Sequence, residues 1–402
     1  MISLPRIRIV VLCLVAFTAA GMAQTGAPQA YKWTVQYLID NSQPVFRRSQ
    51  QVYPRGNRAL AISPDGNFLY LGYNQSFSSA KAYRARDARS TDTGEVRKVD
   101  LRVSDYEKAT KVALQFKRAK AIAVDAENHV YLADGDSIEI YDGDLQNVLA
   151  TIPMDQCEGV AVTHEAGSTV LYATERGLGE LHRYLIDSRL LSNGYKTTPA
   201  GLGADGVMPI QGAKSLRGVA VDGKGRIWIA DPVANKVFRV NPDGSALASV
   251  DVRRAMAISF MEDTALVTRG TDRQIALISP DMVVTGNLSV PWEELELSAY
   301  GNNRDGSLSG IAVVPGGKGF FVADEHGQTA NQRSTYGTTD QNSEVINGKL
   351  YTDAFQDDNE PVLRAVPVEV QEAVATGASA PAASPAAPPA VSPSASPGAP
   401  AP

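Results

Sequence analysis

One phrase recurs six times between residues 59 and 324, and six is a number that a closed ring of β-sheets can use. The copies read ALAISPDGNFLYLGYN from Ala59, AIAVDAENHVYLAD from Ala121, GVAVTHEAGSTVLYAT from Gly159, GVAVDGKGRIWIAD from Gly218, AMAISFMEDTALVTR from Ala255 and GIAVVPGGKGFFVAD from Gly310. Each reads as a hairpin: a strand with a small residue among aliphatics, a turn of Gly, Pro or Asp, then a strand of aliphatic and aromatic residues. The small residues are Ala61, Ala123, Ala161, Ala220, Ala257 and Ala312. Their spacings of 62, 38, 59, 37 and 55 residues leave room for one four-stranded unit per copy, with insertions in some.

Two stretches show the minimal unit. The first runs AIAV, VYLAD, SIEIYD and NVLATI, with turns at 125–128, 134–136 and 142–144; the second runs GVAV, RIWIAD, KVFRV and ALASV. The expected fold is therefore all-β, a six-bladed β-propeller of four-stranded antiparallel blades over residues 31–366. Innermost strands crowd round the axis, which calls for small residues, while the next strands have room for Tyr131, Tyr172, Trp228 and Phe321. The alternating segment YKWTVQYLID from Tyr31 reads as a strand that completes the last blade and joins the two ends of the ring; the other reading is an outer strand that leaves the ring open.

The two ends of the sequence differ in kind from the ring. Arg6 and Arg8 precede an apolar run from Ile9 to Ala20, followed by Gly21, Met22 and Ala23. That is the layout of a secretory signal peptide over 1–23, with no membrane span after cleavage and a periplasmic or secreted product. Removal of Cys13 with it leaves Cys157 alone, so no intramolecular disulfide is expected. Residues 375–402 are almost wholly Ala, Pro and Ser without a charge, a composition that predicts a disordered, extended tail. The formal net charge of −6, with no basic run, makes nucleic acid a poor partner.

The phrases GVAVDGKGRIWIAD and AIAVDAENHVYLAD resemble NHL-type repeats, and the whole resembles the NHL and gluconolactonase-like group of six-bladed propellers. The likeness is strongest in repeats two, four and six, and weakest in five, where Met261, Glu262 and Asp263 replace the usual turn. It implies the propeller fold; for function it implies little, since such rings serve as binding scaffolds, lactonases and lyases. Gluconolactonase-like relatives hold a divalent metal at the channel mouth with carboxylate and Asn ligands. Here only Glu158, in the pair Glu158-Gly159, matches their first ligand motif, so calcium or another metal cofactor is not expected.

Insertions fall in the links that enter the innermost strands (103–118, 188–215 and 291–308) and in 324–348 after the second strand of the last repeat. In such rings these links share one face, which marks it as the recognition face. Three places before each small residue, where the chain enters the central channel, stand Arg58, Lys120, Glu158, Arg217, Arg254 and Ser309. Four cations and one anion round one mouth would focus a positive potential on an anionic ligand, with the arginines as bidentate donors and Glu158 as pairing partner or proton acceptor. The alternative is that they pair with loop carboxylates such as Asp155 and Asp305. Asp324, Glu325 and His326 form a rim cluster in which Asp324 also fits a turn role, as Asp134 and Asp231 do.

No HExxH, GxSxG or phosphate-binding glycine loop occurs. The expected function is an exported binding module for an anionic small molecule, a glycan or a protein partner. A lactonase-like hydrolase or lyase with a degenerate metal site is the second expectation, and a cell-envelope structural or assembly protein tethered by its tail the third.

Overall fold

Alternation makes each repeat a strand pair, and a residue in the left-handed region folds the pair back on itself. Asn128 (φ 65°) does this in the second repeat and Gly225 (φ 76°) in the fourth. The computed structural model describes residues 29–36, 45–47, 50–77, 94–103, 109–186, 197–199, 206–291, 297–299, 308–324, 327–329, 344–346, 349–351 and 362–368. The segments 1–23 and 375–402 lie outside the described residues.

Six antiparallel sheets follow one another, each with its first strand innermost. Blade one comprises Gln50–Ile62, Phe68–Phe77, Gly94–Asp100 and Thr110–Phe116, with Val45–Arg47 beside the start of the first. Blade two comprises Ala121–Val124, Val130–Ala133, Ser137–Tyr141 and Val148–Pro153. In blade three, Cys157–Glu165, Ser168–Glu175 and Glu180–Ile186 are followed by two short strands, Thr197–Pro199 and Val207–Pro209, that both pair with the third. Blade four comprises Val219–Val221, Ile227–Asp231, Lys236–Val240 and Ala248–Asp251, and blade five Ala255–Met261, Thr264–Arg269, Gln274–Ile278 and Val284–Ser289.

Blade six joins the ends. Its strands Leu308–Val313, Phe320–Asp324 and Val362–Pro367 are completed on the outside by Tyr31–Gln36, which pairs antiparallel from Tyr31 opposite Pro367 to Gln36 opposite Val362. Tyr31 and Trp33 set their rings edge-on to Phe320, at 5.3 and 5.6 Å between centroids. The first strands touch one another in turn, and that of blade six touches that of blade one, so the ring is a closed six-bladed β-propeller. A cluster of buried apolar side chains fills each of the six seams between blades. Trp228 and Tyr131, fully buried, and Phe321, 1% exposed, are among them. Each such side chain contributes about 1.5–3 kcal/mol of burial.

The seams are tightest one position after the channel-facing residue. A Cβ added to Gly159 would lie 1.9 Å from the Arg217 carbonyl oxygen, and one on Gly310 would lie 2.6 Å from that of Arg58. Blade five departs from the sequence alignment. Ile258 pairs with Val267 across a register shift, so the small residue that corresponds to Ala312 is Ser259 and not Ala257. Ser259 suits the place because it is compact and its hydroxyl accepts the N–H of Val313 in the next blade, at 3.2 Å.

Candidate functional site: the channel mouth

Four first strands carry one residue too many for their partners. In blade one, Asn57 pairs with Tyr73 and Ala59 with Gly72, which leaves Arg58 between them; in blade three, Cys157 and Gly159 bracket Glu158 in the same way. Blades five and six bulge at the equivalent point. A bulged residue is left out of the ladder and re-aimed, here toward the axis. In blades two and four the strand proper begins just beyond Lys120 and Arg217, whose N–H groups bond the Ala133 and Ala230 carbonyls at 2.8 and 2.9 Å.

Five of the six residues expected at the mouth thus meet. Arg58, Lys120, Glu158, Arg217 and Ser309 line one narrow axial cavity of about 70 Å³. Arg254 does not: the sixth place belongs to Met256, because the bulge of blade five spans Met256 and Ala257. Arg254 lies in the preceding turn in the left-handed region (φ 45°), exposed, with its N–H bonded to Asn235 Oδ1 at 2.8 Å.

The charges are arranged about Glu158. Lys120 Nζ lies 3.1 Å from Glu158 Oε1, with side chains 12% and 9% exposed, and Arg176 Nη1 approaches the same oxygen at 3.6 Å from an exposed position. Burial holds the Lys120 ammonium below its ordinary value; Glu158 opposes this, and Arg58 and Arg217 reinforce it. The alternative partners are therefore not needed for Lys120, whose carboxylate comes from inside the ring; Asp305 lies outside the described residues. Arg217 Nη1 donates to Met256 Sδ at 3.4 Å. Threonines of preceding blades fix the backbone at two mouth positions: Thr174 Oγ1 donates to the Arg217 carbonyl at 2.8 Å and Thr268 Oγ1 to that of Ser309 at 3.0 Å.

Above the channel, over blades three to five, opens a cavity of about 880 Å³. It shares Arg58, Glu158, Arg217 and Met256 with the channel and adds Arg176, Arg253 and Arg254. Five arginines thus face it, against the carboxylates of Glu158 and Asp251. Residues 215–217 enter a first strand and residues 232–235 join a second to a third, and both line this cavity, so the two kinds of link do share a face. On blade six, Leu297–Ala299 of the entering link pairs with Gly327–Thr329 beyond the second strand. Asp324 ends the second strand of blade six, and Glu325 and His326 lie outside the described residues.

Arg176, Arg253 and Met256 were not among the residues the repeats point to. Arg176 could have been found by reading the turn after each second strand, and Met256 by aligning blade five on its bulge. For a hard cation the described residues of the channel offer one carboxylate, already engaged by Lys120, where calcium takes six to eight oxygens. Among the described residues the donor set does not fit the metal of the gluconolactonase-like group.

No protein-family model matches this chain, and no curated protein matches it. Among solved structures, a nidogen/laminin complex chain is similar to it at 12% identity over 59% of this chain and 81% of that one, with a TM-score of 0.44. A streptogramin B lyase is similar at 11% identity, 74% and 96% coverage and a TM-score of 0.42. The virginiamycin B lyase of Staphylococcus aureus is similar at 8% identity, 84% and 100% coverage and a TM-score of 0.46.

Proposed function

We propose that the ring is a binding module for an anionic ligand, a small molecule or the acidic group of a glycan or protein, held at the channel mouth and in the cavity above it. The observation that carries this reading is the meeting of Arg58, Lys120 and Arg217 round the single carboxylate of Glu158, at the floor of a cavity with further arginines on its wall. Guanidinium groups gathered there favour carboxylate, phosphate or sulfate, and the acidic remainder of the chain concentrates the contrast. Export by residues 1–23, a disordered tail over 375–402 and kinship with the NHL and gluconolactonase-like group belong to the same proposal.

The test is thermal unfolding of the protein against sugar acids, phosphosugars, sulfated glycans and calcium with EDTA. A rise in Tm with anions that Arg58→Ala and Arg217→Ala both remove supports the mouth as the site. A rise with calcium reversed by EDTA supports the hydrolase instead, and silence across the panel moves the reading to a protein partner. Because Lys120 deprotonates below the range of an ordinary lysine, anion binding is expected to weaken at a correspondingly lower alkaline pH, a shift that Lys120→Arg would remove.

A further inference from the structure

We propose that Glu175, Glu180 and His182 form a site for a divalent first-row transition-metal ion, zinc or manganese, on the seam of blades two and three. Glu175 ends the second strand of blade three and pairs directly with Glu180 at the start of the third, and period two places His182 on the same side as Glu180. Their ligand atoms all lie within 4.8 Å of one another: His182 Nε2 is 3.2 Å from Glu175 Oε2 and 3.8 Å from Glu180 Oε2. The side chains are 12%, 26% and 15% exposed, enough cover to fix them and enough opening to admit an ion.

The other blades supply the internal control. At the same cross-strand place blade four has Asp231 opposite Lys236, and blade five has Arg269 donating to Gln274 at 2.9 Å. Blade three alone among these sets two carboxylates face to face, and like charges directly opposite destabilise a strand pair unless a cation lies between them.

The imidazole is set for ligation. Its Nδ1 lies 3.4 Å from Tyr184 Oη, with the two rings stacked at 17°, so Nδ1–H can donate outward and leave the Nε2 lone pair toward the glutamates. One nitrogen and two carboxylate oxygens with open positions suit zinc or manganese better than calcium or copper(I). The second candidate cluster, Asp125, Glu127 and His129, fails the same control. Blade four repeats its turn with Asp222 and Arg226 in the places of Asp125 and His129, so a cationic side chain is what that turn takes.

The experiment uses the whole protein, freed of metal with EDTA and titrated calorimetrically with ZnCl₂ and with CoCl₂, whose visible absorption reports nitrogen and oxygen ligation. One saturable equivalent is expected, weakened at least tenfold by His182→Ala and by Glu180→Gln and untouched by His129→Ala. Glu180→Gln keeps shape at the most open of the three positions, and near-UV circular dichroism checks that both variants fold. Absence of saturable binding, binding that survives both substitutions, or binding lost with His129→Ala would each overturn the proposal.

Discussion

The first strands of this ring bear charged residues at both ends, and the two ends use them differently. On the face of the short turns, the carboxylates that close the first strands of blades two and four are consumed by the chain around them. Asp222 Oδ1 accepts the N–H groups of Lys224 and Arg226, and its Oδ2 accepts from Arg226 Nε at 2.7 Å and Trp228 Nε1 at 2.9 Å. Asp125 does the same with Glu127, His129 and Tyr131. At the channel end, bulges set Arg58 and Glu158 out of their ladders, and the Glu158 carboxylate meets the side chains of Lys120 and Arg176. The fold requires the first kind of charge; the second it merely displays.

If that division is right, stability and ligand response should separate by face. The largest effect is expected from Asp222→Ala. It strips two backbone N–H groups and the indole of buried Trp228 of their acceptor and should cost about 2–4 kcal/mol in urea unfolding. The anion-induced rise in Tm should survive it. Arg217→Ala should do the reverse, changing unliganded stability by about 1 kcal/mol or less. It should remove the ligand-dependent increment, about 2.7 kcal/mol at a concentration one hundred times Kd.

Arg254→Ala sharpens the contrast within one face. Since Arg254 stands on the exposed rim, its loss should weaken anion binding by about 0.2–1 kcal/mol, and added salt should erase the difference. The smallest effect concerns His129. The hydrogen bond to Asp125 is the chief cause that raises its pKa. Its contribution to stability is therefore full below about pH 6.5, the unfolded value, and is lost as pH rises through the raised folded value. Unfolding free energies measured across that window should fall for the native protein and stay flat for His129→Gln.

The ring itself was legible because a propeller writes its geometry into the chain six times, and closure by Tyr31–Gln36 followed from an alternating segment with nowhere else to pair. Five mouth residues were legible by the same repetition. The sixth was lost because small size, not aliphatic character, is what the crowded position requires: Ser259 fills it, and a reading that sought alanine slid two residues to Ala257 and so put Arg254 where Met256 stands. The Glu175, Glu180 and His182 cluster was illegible for a different reason. It exists only through a hairpin register, and no spacing rule marks two glutamates as opposite each other until the strand pairing is known.

Closure has a temporal side. The side chain of Gln29 donates to the carbonyl of Val368, a contact spanning 339 residues, and the strand that begins two residues after Gln29 finds its ladder only on Val362–Pro367. Pairing at such separation bears nearly the full loop-closure entropy of the ring and comes late. A growing chain therefore cannot complete its last blade until residue 367 is available, and a nascent or threading polypeptide remains an open arc, with the Phe320 and Leu363 seam uncovered on one side, for as long as any part of that stretch is held back.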